Sequence, residues 1–195
     1  MSLFAELVRE IVAILRYLAA PAVGVGVAWL FDARHDIVGI VVRSTWPWGA
    51  EPSAWPFVTI GAIGGITIYF IHRTLIHPGL QRVQLRLLNG TWPDTLLVDN
   101  LALARWHRRG APKGTSANSI QVAIDEASAA SHFFYCSAWA SLASTSLFIV
   151  TAPSDFSLTS PWLFGVTVVA LFALGWIGDR NTTRWDFQVY VGYQK

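Results

Sequence analysis

Four long apolar stretches constrain the fold of this chain more than any other feature. They lie at about residues 11–31, 56–76, 132–152 and 161–178. A helix that crosses a bilayer needs roughly 20 predominantly apolar residues, and each stretch approaches or reaches that length. We therefore expect an all-α integral membrane protein with four transmembrane helices.

The composition supports this expectation. Hydrophobic residues make up 53% of the chain and charged residues only 13%, against about 25% charged in an average globular domain. Such a chain is not intrinsically disordered, and its net charge of +2 provides no field that would attract nucleic acid. The single Cys136 excludes an internal disulfide.

The stretches form two pairs separated by a long polar segment. We expect a first transmembrane pair over residues 1–76, including an outer loop at 32–55, a helical loop at 77–131, a second pair at 132–178 and a tail at 179–195. His77-Pro78-Gly79 is predicted to end the second span.

The polar segment has the patterning of helices rather than of a linker. Leu80, Val83 and Leu87 share one helical face, which is typical of an amphipathic helix at a membrane surface, and Asn89-Gly90 is predicted to end it. A second helix is predicted over 95–109 and a long one from 119 to 152. These two should pack as an antiparallel hairpin. Four of its apolar residues should be buried against each other or against the membrane, namely Leu97, Leu101, Ile120 and Ile124.

The distribution of basic residues predicts the orientation. Twelve of the fourteen Lys and Arg residues lie at the termini or in the segment between the pairs, and only Arg34 and Arg43 lie in the outer loop. By the positive-inside rule, both termini and residues 77–131 should be cytoplasmic. We expect a multi-pass protein of a bacterial inner (plasma) membrane. The predicted inner-face basic residues are Arg82, Arg86, Arg105, Arg108 and Arg109.

Small residues recur at helical spacing on three of the spans. Such faces allow close helix–helix approach in lipid, within one chain or between copies. The predicted packing or interface residues are Ala20, Gly24 and Ala28 on the first span, Gly61 and Gly65 on the second, and Ser137, Ser141 and Ser144 on the third.

The histidines are the main candidates for chemistry. Asp125 and His132 are seven residues apart and share a helical face, so they could bind a metal together with His72 or His107. The alternative is an interfacial histidine beside a solvated carboxylate, and we favour it. His72 and His77 are five apart, about 140° around an α-helix, and are predicted not to share a face. We expect no cofactor.

Three functions fit these observations. We favour a non-enzymatic membrane subunit that contacts the lipid bilayer, oligomerises or assembles with partner membrane proteins, and uses its cytoplasmic hairpin for docking or sensing; it could also form a pore. The chain lacks the sequence patterns of serine hydrolases, zinc proteases and nucleotide-binding proteins. One alternative is a small membrane enzyme with a histidine-based site at the inner interface. Another is a channel or facilitator for a small solute.

Overall fold

The computed structural model describes residues 19–33, 55–90, 93, 95–151, 154 and 156–193. This part of the chain is helical and contains no strand, which confirms the all-α prediction for the described residues. Its elements are α1 (Ala19–Leu30), α2 (Trp55–Ile71), a π-helical segment (His72–Ile76), α3 (His77–Asn89), α4 (Thr95–Gly110), α5 (Ser116–Thr151) and α6 (Pro161–Tyr193). Most of the predicted outer loop and the start of the first span lie outside the described residues.

Among the described residues, two helices are long and apolar enough to cross a membrane, namely α5 and α6. The apolar window of α6 is only 17% buried inside the protein, whereas an apolar helix in the core of a soluble protein is buried all round. These two helices coincide with the predicted third and fourth spans. The first and second spans remain predictions, because the apolar helix α1 is short and α2 has 17 residues.

The chain forms two compact units, which we describe separately. Unit 1 comprises Met1–Phe70 and Phe133–Ala173, and unit 2 comprises Ile71–His132 and Leu174–Lys195. Helices α5 and α6 therefore contribute residues to both units.

Unit 1 has an apolar core in which α1 packs on α5 and α6. Val27 and Ala138 are buried with Phe164 in one cluster, while Ala28 and Phe148 belong to a second. The α1 and α5 backbones approach closely at Gly24, where an added Cβ would lie 2.6 Å from the carbonyl carbon of Ala140. Gly24 therefore brings the α1 and α5 backbones together, as small residues do in membrane bundles.

The outer faces of the unit 1 helices are apolar as well. On α2, Ile63, Ile66 and Phe70 are exposed, and on α6 Val166 and Val169 are exposed. An apolar surface of this extent is unusual for a soluble monomer and marks contact with a membrane or with other proteins.

Unit 2 contains the position at which the second span was predicted to end. His77-Pro78-Gly79 does not end the helix, because α2 continues through the π-helical segment into α3. Pro78 lies in the first turn of α3, where a missing backbone N–H is tolerated, and a wider π-helical turn precedes it. The helix ends at Gly90 in a left-handed conformation with φ 75°, which confirms the predicted Asn89-Gly90 terminus.

The two helices predicted after Gly90 are present, with small differences. Helix α4 ends one residue later than predicted, and α5 starts at Ser116 rather than at 119. Leu101 and Ile124 are buried, as predicted, and Leu97 is half-buried. Ile120 is 39% exposed, so it is not buried within the protein, and its burial against a membrane stays a prediction. Ile120 lies in the second turn of α5, and Gln121 takes the inward position beside it.

Candidate functional site

The interior of unit 2 is polar rather than apolar. Asp179, Thr182, Thr183 and Asp186 are all buried on α6, and their spacing of three, four and seven residues places them on one helical face. Burying a carboxylate is costly unless it is paired and hydrogen-bonded. The neighbouring helices of unit 2 provide those partners.

Asp179 connects α6 to α3. Its Oδ1 accepts a hydrogen bond from His77 Nε2 at 3.1 Å, and its Oδ2 accepts one from Gln84 Nε2 at 3.0 Å. The Gln84 amide oxygen in turn accepts a hydrogen bond from Thr183 Oγ1 at 2.9 Å. Three hydrogen bonds therefore fix the rotation of α3 so that the polar Gln84 faces inward.

Three histidines lie together beside this carboxylate. The ring centroid of His77 is 4.5 Å from that of His132 and 6.0 Å from that of His72, and the His72 and His132 centroids are 5.4 Å apart. Arg73 NH1 donates to His132 Nε2 at 2.7 Å. Because a guanidinium has only donors, His132 Nε2 must carry the lone pair, and this ring is neutral with its proton on Nδ1.

The prediction that His72 and His77 do not share a face was wrong, and the π-helical segment is the reason. The backbone N–H of His77 donates to the carbonyl of His72, five residues earlier. A turn closed by an i→i+5 hydrogen bond brings residues five apart onto the same side of the helix. Segments of this kind are frequent at functional sites.

A second carboxylate, Asp186, connects α6 to α4. It accepts hydrogen bonds from Arg105 Nε and from an Arg108 terminal nitrogen. The Asp186 side chain is 1% exposed and that of Arg108 4%, so this ion pair is shielded from water. Arg108 Nε also donates to the Gln121 amide oxygen at 2.9 Å, which adds α5 to the network.

The third carboxylate, Asp125, lies on α5 before the predicted start of the third span. Arg109 donates to both of its oxygens, at 2.8 and 3.1 Å, and Gln121 Nε2 donates to Oδ1 at 2.9 Å. Partial burial favours the neutral acid, but the hydrogen bonds from Arg109 and Gln121 outweigh it and hold the pKa of Asp125 below its usual value.

The structure separates the predicted metal candidates. His72 and His132 lie together, but Asp125 is bound to Arg109, and His107 is exposed with its ring 5.2 Å from Trp106. Within the described ranges, no group of three or more His, Cys, Asp or Glu side chains is arranged to hold a metal ion.

The predicted small-residue faces have different surroundings. Ala20, Gly24 and Ala28 are buried on α1. Ser137 and Ser141 are buried on α5, where Ser141 Oγ donates to the Ser137 carbonyl at 2.8 Å, and Ser144 is half-buried. Gly65 is buried, whereas a Cβ added to Gly61 or to the nearby Gly64 would meet no atom of the described part of the chain within 4 Å. Their role in assembly stays a prediction.

Sequence reasoning missed the residues at the centre of unit 2, namely Gln84, Asp179 and Asp186, and it placed His77 outside the site. The two carboxylates carried a usable signal, because they are seven residues apart on one face of a continuous helix. This signal was missed because residues 179–195 were predicted to be a tail, whereas α6 continues to Tyr193.

No protein-family model, curated protein or solved structure matches the chain.

Proposed function

We propose that this chain is a non-enzymatic, multi-pass subunit of a bacterial inner membrane that assembles with further copies or with partner membrane proteins. In this proposal four helices span the bilayer, and both termini and residues 77–131 are cytoplasmic. The exposed apolar faces of α2 and α6 support a lipid environment. The π-helical segment supports a second span, because it extends α2 to Ile76 without interruption.

The observation that carries the assembly proposal is the space beside two glycines of α2. A Cβ at Gly61 or Gly64 would meet no atom of the described residues within 4 Å, whereas one at Gly24 would overlap Ala140. Gly24 is thus already used within the chain, while Gly61 and Gly64 leave room for a helix to approach. Close backbone contact at small residues is a common mode of helix association in lipid.

A surface on α4 supports the docking part of the proposal. Trp106 is 69% exposed, and Leu103, one turn before it, is also exposed. An exposed aromatic beside an exposed aliphatic residue is the kind of anchor that protein interfaces use. This pair lies on the opposite side of α4 from Leu101, Arg105 and Arg108, which are directed toward the unit 2 interior.

The hydrogen bonding of the unit 2 interior favours a structural role for its charges. Both oxygens of Asp179 and both oxygens of Asp186 accept hydrogen bonds from neighbouring helices. A carboxylate with both oxygens hydrogen-bonded in this way is suited to holding helices together rather than to accepting a proton from a substrate.

The experiment is to replace Gly61 with Leu and to compare it with the matched control Gly24→Leu. We expect Gly61→Leu to accumulate and unfold like the wild type but to lose its oligomeric mass in nanodiscs, because the bulk fills only the space outside the chain. Gly24→Leu should fail to fold, since it overlaps the α5 backbone. A monomeric wild type, or an unchanged oligomer in Gly61→Leu, would overturn assembly with further copies through this face of α2.

A membrane enzyme with a histidine-based site is the second candidate, and the clustering of His72, His77 and His132 next to a π-helical segment favours it. Elemental analysis and absorption spectra of the purified protein test it. A stoichiometric transition metal that is lost in His77→Gln and kept in His107→Gln would support the enzyme. If the purified protein contains no metal and His77→Gln lowers only thermal stability, the metalloenzyme hypothesis is rejected.

A further inference from the structure

One stripe of α4, which we call its outer face, consists of five exposed residues: Asp99, Ala102, Leu103, Trp106 and His107. The last four follow Asp99 by three, four, seven and eight residues, so all five lie on one side of the helix. Leu103 and Trp106 are 53% and 69% exposed. No ion pair within the described ranges involves Asp99 or His107. The outer face therefore presents apolar and polar groups together to the surroundings of unit 2.

The polar groups of the outer face are placed symmetrically about Leu103. Asp99 precedes Leu103 by four residues and His107 follows it by four. A carboxylate accepts hydrogen bonds, and an imidazole has an N–H donor whether the ring is neutral or charged. A second α4 that lies antiparallel, with Leu103 against Leu103, therefore brings each Asp99 to the His107 of the other copy. A parallel pairing would instead place the two Asp99 carboxylates together, and their like charges repel.

The apolar residues of the outer face complement each other in size. Ala102 and Trp106 are four residues apart and lie on the same flank of the stripe. In the antiparallel pairing, Trp106 of one copy lies about 3 Å along the helix axis from Ala102 of the other. A small side chain at this position leaves room for an indole ring, and a tryptophan near the centre is a common anchor of protein interfaces.

We propose that the outer face of α4 binds the same face of a second copy of this chain, antiparallel, about a two-fold axis at Leu103. Such a contact uses one self-complementary surface twice, as two-fold homodimers do. The surface is small, so the contact forms between copies that assembly through α2 already holds together. The inference names the partner of the α4 docking surface and rests on the proposed assembly with further copies.

The connections of α4 are compatible with this symmetry. Helix α3 leads away from the second predicted span and α5 leads back to the third, so in the proposed topology α4 joins the two ends farthest from the bilayer. A two-fold axis along the membrane normal relates two copies in one membrane, and it reverses every direction within the membrane plane. A helix that lies across those ends therefore meets its copy in antiparallel orientation.

Lipid is a poorer occupant of the outer face. Arg105 and Arg108, on the other side of α4, bind Asp186. Asp186 follows Gly178, the end of the predicted fourth span, by eight residues, which is about 12 Å along a helix. The polar layer of a bilayer is only about 5–8 Å thick on each side. In the proposed topology α4 thus lies beyond the headgroups.

The test is disulfide cross-linking in membrane vesicles, in a Cys136→Ala background that removes the single native thiol. A disulfide needs Cα atoms within about 7 Å of each other. Leu103→Cys lies at the proposed axis and should cross-link to itself. Asp99→Cys and His107→Cys should each fail alone, because like positions are then about 12 Å apart along the helix, whereas the two variants expressed together should cross-link to each other. Asp99→Cys that cross-links to itself as fast as to His107→Cys would overturn the inference, as would Leu103→Cys that reacts no faster than Ser119→Cys, an exposed position on α5.

Exchanging the two polar groups tests the contact between them. Asp99→Lys places two donors at each contact of the pair, and His107→Glu places two acceptors there. Either change should slow cross-linking of Leu103→Cys about tenfold, from about threefold at each of two exposed contacts. Asp99→Lys/His107→Glu should restore the rate, because each contact again joins a cation and an anion. Slow cross-linking in all three variants, or in none, would overturn the inference.

A mass measurement separates failure of this contact from failure of the proposed assembly. The oligomeric mass of the reduced Leu103→Cys protein is determined in nanodiscs before oxidation. An intact oligomer that forms the Leu103 cross-link supports the contact. An intact oligomer without it overturns this inference alone, whereas a monomeric protein overturns the proposed assembly and this contact with it.

Discussion

Removing the charge of Asp186 should destabilise the protein far more than removing that of Asp125. Asp186→Asn leaves the buried guanidinium of Arg108 without its counter-charge, because the Asp186 and Arg108 side chains are 1% and 4% exposed. Breaking a buried ion pair in this way costs about 3–5 kcal/mol. Arg105 is less affected, since 27% of its side chain is exposed and can be hydrated.

Asp125→Asn is the matched control, because it breaks an arginine–carboxylate pair in the same unit. The side chains of Arg109 and Asp125 are 52% and 38% exposed, so water and salt replace much of the interaction. Exposed pairs contribute about 0.2–1 kcal/mol. The two variants should therefore differ by at least about 2 kcal/mol, which is about a 30-fold difference in an opening equilibrium.

Amide hydrogen exchange of the protein in nanodiscs measures this difference locally. Peptides from α4 and from the part of α6 after Gly178 should exchange at least about 30-fold faster in Asp186→Asn than in Asp125→Asn. The double variant Asp186→Leu/Arg108→Met should recover much of the loss, because it removes both buried charges. Exchange rates that differ by less than twofold between Asp186→Asn and Asp125→Asn would show that the Asp186 network does not hold unit 2 together.

Three further predictions concern packing and pH. Gly24→Ala should lower stability by about 1–3 kcal/mol, since the added methyl overlaps the Ala140 backbone. Gly61→Ala should be neutral or stabilising by up to about 1 kcal/mol. Thermal unfolding of the two variants measures this difference. Leu101→Ala should cost about 2–5 kcal/mol in the same assay, because Leu101 is buried, and Ile120→Ala, at an exposed position, should cost much less. The folded-state pKa of Asp125 is depressed, so its stabilising effect is present above its unfolded pKa of about 4 and is lost as the pH falls further. When stability is measured during acid titration, Asp125→Asn should lack that part of the loss. A stability loss in acid that is identical in Asp125→Asn and the wild type would contradict this prediction.

The helices were predictable because their signals are local. The apolar runs and the Asn89-Gly90 pair are local signals, and the helices predicted over 95–109 and from 119 to 152 are present in the described part of the chain with small differences at their ends. The positions of Leu101 and Ile124 followed from helical periodicity in the same way.

The candidate site was less predictable, since it depends on two non-local features. The π-helical segment changes which residues share a face, so the α-helical spacing rule separated His72 from His77 although their rings lie together. The partners of Asp179 and Asp186 come from α3 and α4, about 80 to 100 residues earlier in the sequence. Only the packed helices reveal that these charges face inward.

The packing of the helices also distinguishes among the predicted inner-face basic residues. Five arginines were grouped by their position in the sequence, but three of them bind carboxylates of the same unit. The positive-inside rule counts residues regardless of such pairing, so it predicts orientation without identifying which arginines contact lipid.

Measuring the orientation of the chain in the membrane tests the proposed four-span topology most directly. Dual-reporter fusions at Lys195 and within residues 32–55 measure it in cells, with an enzyme that is active only outside the cytoplasm and one that is active only inside. We expect a cytoplasmic signal at Lys195 and a periplasmic signal from the 32–55 loop. A periplasmic signal at Lys195, or the same signal at both positions, would contradict the proposed four-span topology.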